Sequence, residues 1–338
     1  MALNLPVHGG DLAAAEALWG KPAEGWLDLS TGINPWPYPI FDIAAAVWHR
    51  LPGAAEENAL LDVASRRWNI PSRVNIVAAP GSQPLIQAVP RLIPPGRVAV
   101  LGPTYGEHAR AWEAAGHDVA VVSDLASART ADAVVVVNPN NPDGRVIAPD
   151  SLIAAAQVLA AKGGLLVVDE AFADTIPAVS VASRVCPGLV VLRSFGKFYG
   201  LAGLRLGFAV AMPDLAARLA AMMGPWAVSG PALAVGAKAL ADDAWSEAMR
   251  ARLRAASVEL GAVLTRRGFE IVGGADLFLL GRHAEAAGLY QHLGRTGILV
   301  RAFADRPDLL RFGLPGCASE LERLDVALGS FNQGACRG

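Results

Sequence analysis

Three cysteines in 338 residues, Cys186, Cys317 and Cys336, are too few and too scattered to staple a fold, and their odd number excludes a disulfide framework. They fit a reducing compartment. The chain has no CxxC and no HExxH pattern, so no metal site is expected. Charge is also sparse: 29 basic residues stand against 31 acidic ones, for a net charge of -2. No basic field exists for nucleic acid, and nucleic-acid binding is set aside. No apolar run reaches transmembrane length, and Met1-Ala2-Leu3-Asn4-Leu5-Pro6 lacks the charged-then-apolar order of a signal peptide. The expected setting is the cytoplasm, without a membrane partner. Repeats and low-complexity tracts are missing as well. What remains is a chain with 53% hydrophobic and 18% charged residues, a composition that folds compactly and has length for a large domain and a smaller one.

In chain order, His8-Gly9-Gly10-Asp11 reads as a turn into a short helix capped by Asp11. Residues 27–39 carry three prolines and are expected to run extended and irregular. Helical patterns follow over 41–50 and 55–68. From residue 75 a theme recurs: a short apolar run, a turn, then a helical stretch. The seven runs are 75–79, 98–101, 119–122, 134–137, 165–168, 190–192 and 206–211. Their near-continuous hydrophobicity predicts an α/β fold with a mostly parallel seven-stranded sheet whose strands are covered on both faces. The last run follows its predecessor too closely for a helical crossover and is expected antiparallel. Helices over 215–224, 231–240 and 244–267, then strands over 269–272, 277–280, 298–301 and 309–312, predict a small C-terminal α+β domain. The boundaries expected are an N-terminal segment 1–40 over the active site, a large cofactor-binding domain 41–212, and the small domain 213–338.

Function in such sheets gathers beyond the carboxyl ends of the strands. There the sequence places Gly81-Ser82-Gln83 at a helix start, where backbone N–H groups can hold a phosphate. It also places Tyr105, then Asn141, then Asp169, then Ser194 and Lys197, with Arg205 eight residues beyond the lysine. A lysine against apolar neighbours is a nucleophile for an aldehyde. Pyridoxal phosphate would use all of these groups: a lysine imine, an acid for its pyridine nitrogen, a phosphate cradle and an aromatic face. Each residue also has a plain reading. Lys197 can be solvated, Asp169 a helix cap, Asn141 a turn residue before Pro142 and Tyr105 core.

Asn138-Pro139-Asn140-Asn141-Pro142-Asp143-Gly144, Asp169-Glu170-Ala171-Phe172 and Ser194-Phe195-Gly196-Lys197-Phe198-Tyr199-Gly200-Leu201-Ala202-Gly203-Leu204-Arg205-Leu206-Gly207 resemble the fold-type I aminotransferase superfamily in order and spacing, over nearly the whole chain. Within it, His8-Gly9-Gly10 and Ser30-Thr31-Gly32-Ile33-Asn34-Pro35 resemble the threonine-phosphate decarboxylases of cobalamin biosynthesis, relatives of the histidinol-phosphate aminotransferases. The resemblance implies pyridoxal 5'-phosphate as cofactor, a phosphorylated amino acid as substrate and a homodimer. Lys197 matches the Schiff-base lysine, Asp169 the pyridine partner, Asn141 the partner of the phenolic oxygen and Tyr105 the stacking aromatic. Lys197, Asp169 and Tyr105 are then the catalytic groups. Gly81, Ser82, Gln83, Ser194 and Arg205 match the phosphate end of the cofactor site. Arg311 matches the arginine for the substrate carboxylate and Arg301 a second anion contact, while His8, Gly9, Asn34 and Asn141 would touch substrate. Two positions depart from the pattern. Phe172 stands where many relatives have a tyrosine for the phenolic oxygen, and Leu51 where relatives often have one that crosses to the partner's cofactor. Amino transfer with the same cofactor, and a catalytically silent binding module, stay open beside decarboxylation.

Overall fold

The computed structural model describes residues 9–335, and the chain forms two compact units. The larger is Pro37–Glu247; the smaller joins the described residues up to Trp36 to those from Ala248 onward.

The larger unit is built on a seven-stranded sheet in the order Ile76–Ala79, Gly207–Ala211, Leu189–Ser194, Leu165–Asp169, Ala133–Val137, Arg97–Leu101, Asp118–Val122. Gly207–Ala211 runs antiparallel to both neighbours and every other pairing is parallel, as the spacing predicts. Between Ser194 and Gly207 there is room only for the short helix Phe195–Phe198 and a turn at Ala202–Leu204, so the chain reverses instead of crossing over. The central strands are β-branched and buried along their length, which is what two covered faces require. The expectation of two covered faces fails at Asp118–Val122: as the edge strand it is largely open, with Val121 66% exposed.

Helices Pro213–Met223 and Gly230–Leu240, placed by the sequence pattern with the C-terminal part, pack on the larger unit. Ala216 and Leu219 join the core around Val77, Val100 and Val190. Gly236 lies so close to Leu206 that a Cβ there would stand 2.5 Å from its Cδ2. Composition shifts near residue 213, but packing carries the unit on to Glu247.

The smaller unit holds an antiparallel sheet in the order Arg301–Ala302, Leu309–Gly313, Phe278–Arg282, Glu270–Ala275. The single strand expected over 298–301 is two. Ile298–Leu299 pairs in parallel with Leu27–Asp28, while Arg301–Ala302 pairs with Leu309–Gly313. The proline-rich stretch expected to run extended and irregular therefore begins with a short strand, and its residues up to Trp36 belong to the smaller unit. Asp11 caps the helix Leu12–Trp19 as expected, its side chain accepting from Ala14 N at 2.9 Å. Among the described residues no helix is long and apolar enough to cross a membrane, and no cluster of three metal-ligating side chains occurs.

A charge network is buried beneath the strand ends of the larger unit. Arg193, 2% exposed, donates to Glu170 Oε2 at 2.7 Å and to Asp174 Oδ1, with its guanidinium 4.7 Å from the centre of the Trp68 ring. Glu170 also accepts from Ser180 Oγ and from Val181 N. Burial pulls the Arg193 pKa down, but Asp174 and Glu170 outweigh it and hold the guanidinium above its usual range. Removing one member of such a set strands the others in low dielectric. Arg193→Met is expected to lower the unfolding free energy by about 3 kcal/mol, read as a drop in urea midpoint; an unshifted midpoint would mean the network is worth no more than a surface pair.

Candidate active site

The strand ends of the larger unit open on one cavity whose walls include Gly81, Ser82, Gln83, Tyr105, Asn141, Asp169, Phe172, Ser194, Lys197 and Arg205. All nine of the residues that the sequence analysis proposes for the cofactor, dispersed over more than a hundred positions of chain, meet there.

Each reaches the cavity for a local reason. Asp169 is the last residue of Leu165–Asp169, 4% exposed, and it is held at both oxygens: Oδ1 accepts from Ala171 N at 3.0 Å and Oδ2 lies 2.8 Å from His108 Nε2. The cap-like bond to Ala171 and a role toward a ligand coexist, because a carboxylate has lone pairs for several donors. His108 is fully buried and went unnoticed in the sequence. It lies three residues after Tyr105, a spacing that puts both on one face of the Glu107–Ala114 helix and its lead-in, and that spacing was the available signal. The Tyr105 and His108 rings meet edge to face at 6.1 Å. Burial pushes the Tyr105 phenol up, and Glu107 and Asp169 add to it, so the hydroxyl stays neutral and keeps its proton.

Three asparagines share the loop after Ala133–Val137, and their bonding separates them. Asn138 holds Ile147 through both ends of its amide, and Asn140 ties Thr104 Oγ1, Pro103 O and Asp143 together. Both are buried and fix the loop, whereas Asn141 is on the cavity wall. Lys197 sits on the short helix Phe195–Phe198, half-buried, with Nζ 5.9 Å from the centre of the Phe172 ring. Phe195, Phe198, Tyr199, Tyr38 and Trp245 form the aromatic floor that anchors that helix.

The phosphate end can be tested sterically. Gly81, at φ +91°, could not carry a side chain without strain, and a Cβ there would stand 2.5 Å from Arg205 Nη2. A Cβ on Gly207 would stand 2.4 Å from Ser82 N. Two glycines thus keep open a cradle bounded by the backbone N–H of a helix start and by a guanidinium, with Arg205 itself at φ 54°. Such a donor set suits a phosphate, and an aspartate on the same cavity suits a basic ring nitrogen. The residues present fit pyridoxal phosphate.

Of the residues expected for substrate, Asn141 lies on that cavity wall, and Gly9, Asn34, Arg301 and Arg311 lie in the smaller unit. His8 is outside the described residues. Gly10, Asp28, Ser30 and Arg311 make one bonded group: Gly10 N donates to Ser30 Oγ at 2.7 Å, Ser30 Oγ to Asp28 Oδ1 at 2.5 Å and Arg311 Nη2 to Ser30 O at 2.6 Å, with Gly9 close against Ser30 O. Arg301 and Arg311 face each other in register on adjacent strands. Burial, then the nearby Arg301, lowers the Arg311 pKa to about 10, against the pull of Asp28, so the guanidinium is still cationic at neutral pH. Burial lowers Arg301 too. Asn34 is buried, its Oδ1 accepting from Trp36 N to close the turn through Pro35. Of the two departing positions, Phe172 lines the cavity with no hydroxyl to offer, and Leu51 is 68% exposed.

Known proteins resemble this chain at three levels. The family model described as aminotransferase class I and II matches residues 54–329. A threonine-phosphate decarboxylase of a Sinorhizobium species is 46% identical over 95% of this chain and 97% of its own length. One of Pseudomonas aeruginosa is 45% identical over 97% and 98%. Among solved structures, the histidinol-phosphate aminotransferase of Sinorhizobium meliloti in complex with pyridoxal-5'-phosphate superposes with a TM-score of 0.80, covering 98% of this chain and 96% of its own at 22% identity. That last likeness speaks for the fold.

Two outcomes follow from the cavity. Borohydride reduction in the presence of pyridoxal phosphate should attach the label to the peptide holding Lys197, since it is the lysine on the cavity wall; label on Lys21, Lys162 or Lys238 would remove it from that role. Asp169→Asn keeps the bonds to Ala171 and His108 within reach but loses the charge, so it should retain cofactor and lose roughly a hundredfold in turnover. Activity within a few-fold of the parent would leave Asp169 a cap alone.

Proposed function

The chain belongs to the class I and II aminotransferase family, and on that footing we propose that it is a pyridoxal-phosphate-dependent lyase that decarboxylates L-threonine O-3-phosphate to (R)-1-amino-2-propanol O-2-phosphate. Its fold is the fold-type I arrangement of such enzymes. The observation that carries the choice of reaction is the likeness, at 45–46% identity along almost the entire length, to threonine-phosphate decarboxylases. The cavity supports the choice of cofactor.

In this reading Gly81, Ser82, Gln83, Ser194 and Arg205 hold the cofactor phosphate, Tyr105 covers one ring face and Asn141 donates to the phenolic oxygen. Lys197 holds the aldehyde carbon. Asp169, fixed by Ala171 and His108, keeps a negative charge where a protonated ring nitrogen needs one. Bound there, pyridoxal phosphate supplies an electron sink for whichever bond at the substrate Cα is aligned with its ring system. The protein's part is to decide which bond that is, and positioning makes the decision. Arg311 and Arg301 are suited to the substrate's anionic groups, because a guanidinium offers a planar fork to carboxylate or phosphate. Lys197, the amine on the cavity wall, carries the proton that Cα gains once CO2 has left. A cytoplasmic homodimer belongs to the same proposal. Exposed Ile40, Trp48 and Leu51 on the larger unit support a covered face, though a leucine at 51 brings no hydroxyl to a partner's phosphate site.

The test supplies L-threonine O-3-phosphate with no keto acid and follows CO2 and the cofactor absorbance together. Catalytic CO2 release, with the absorbance returning to its starting form, is expected. Stoichiometric conversion of the cofactor to its amino form without CO2 would instead assign an aminotransferase, and an absence of any spectral response a binding module.

A further inference from the structure

Ser30 holds two separate parts of the smaller unit with two different atoms. Its hydroxyl accepts from Gly10 N at 2.7 Å and donates to Asp28 Oδ1 at 2.5 Å, while Asp28 Oδ1 also accepts from Ser30 N at 2.9 Å. Its carbonyl accepts from Arg311 Nη2 at 2.6 Å. That carbonyl is also the surface on which Gly9 rests, for a Cβ on Gly9 would stand 2.4 Å from Ser30 O. One peptide oxygen therefore aims a buried arginine and takes the contact of the N-terminal segment.

The base under this junction is stiff. Leu29 N donates to Leu299 O at 2.8 Å and Gly313 N to Leu29 O at 2.6 Å, so residues 28–31 are pinned between the strand partner of Leu27–Asp28 and the strand that carries Arg311. Gly313 admits no side chain, because a Cβ there would stand 2.3 Å from Thr31 O. Charge supports the same arrangement: Arg301 and Arg311 repel each other across their register pair, and the Asp28 carboxylate offsets this at Arg311. A hydrogen-bonded set of this kind moves as a unit.

We propose that Ser30, seated on Asp28, is a positioning residue that couples the N-terminal segment at Gly9–Gly10 to the Arg311 guanidinium, so that the substrate anion is held at full strength only while that segment is seated. This rests on the reading that Arg311 binds a substrate anion. The coupling makes substrate recognition, and not cofactor binding, sensitive to the first described residues of the chain.

Steady-state kinetics with L-threonine O-3-phosphate on the holoenzyme test it, alongside cofactor affinity and thermal midpoint. Ser30→Ala removes the hydroxyl and keeps the carbonyl, and should raise KM about tenfold, the worth of a hydrogen bond to charged partners, with kcat and cofactor affinity within about twofold. Gly9→Ala pushes on the same oxygen from the other side and should give the same KM-only signature. Because both break one junction, the double variant should lose about as much as the worse single variant, not the product. Asp28→Asn keeps an oxygen in place for Ser30 and should raise KM less than Ser30→Ala does. Arg311→Lys is the control for the underlying reading: if it leaves KM unchanged, the substrate assignment of Arg311 fails, whatever Ser30 does. If Arg311→Lys raises KM while Ser30→Ala and Gly9→Ala stay within twofold, or if their effects multiply, the coupling is overturned.

Discussion

Arg193 is a cation where only its partners make a cation tolerable, and the active cavity hangs on that pairing. Its strand delivers Ser194 and then Lys197; its two carboxylates come from the segment directly after Asp169. Glu170 N also donates to Leu192 O at 2.8 Å, so side chain and backbone join the same two strand ends. The distance between the acid and the amine of the cavity is thereby set from below, out of reach of solvent and substrate. A hydrophobic residue in place of Arg193 could fill the space, but it could not bond two loop residues at once.

Three arginines illustrate how one side chain serves three ends according to its surroundings. Arg193 is enclosed and ion-paired, and its charge is spent on the scaffold. Arg205 is exposed at the rim, its Nη1 on Ala202 O at 3.0 Å and its Nη2 facing Gly81. Arg311 is enclosed like Arg193, but a second arginine is among its neighbours, so burial and Arg301 lower its pKa where Arg193 is raised.

Much of this was legible beforehand, for reasons that can be named. Seven apolar runs gave seven strands because strands covered on both faces demand continuous hydrophobicity, the open edge strand Asp118–Val122 being the exception, and the short link after Ser194 gave the one antiparallel strand. The nine cavity residues were legible because strand ends are where parallel sheets collect function. His108 escaped because its one local signal, the three-residue spacing from Tyr105, names no partner; its meaning comes from Asp169, 61 residues later in the chain. The strand at Leu27–Asp28 escaped because its partner, Ile298–Leu299, is distant in sequence and two residues have no period to read. The end of the larger unit at Glu247 escaped because composition reports hydrophobicity and not which core a helix joins.

The discontinuity of the smaller unit has a consequence for how the molecule comes into being. Residues 37–247 are contiguous, so their sheet and core can close while the ribosome is still adding the remainder. The strand Leu27–Asp28 leaves the exit tunnel earlier but has no strand partner until Ile298–Leu299 emerges, and Ser30 waits longer still for Arg311. The pairing of Leu27–Asp28 can therefore form only after every residue of the larger unit has been made. Until then that strand lacks its partner, while the larger unit already has its whole sequence.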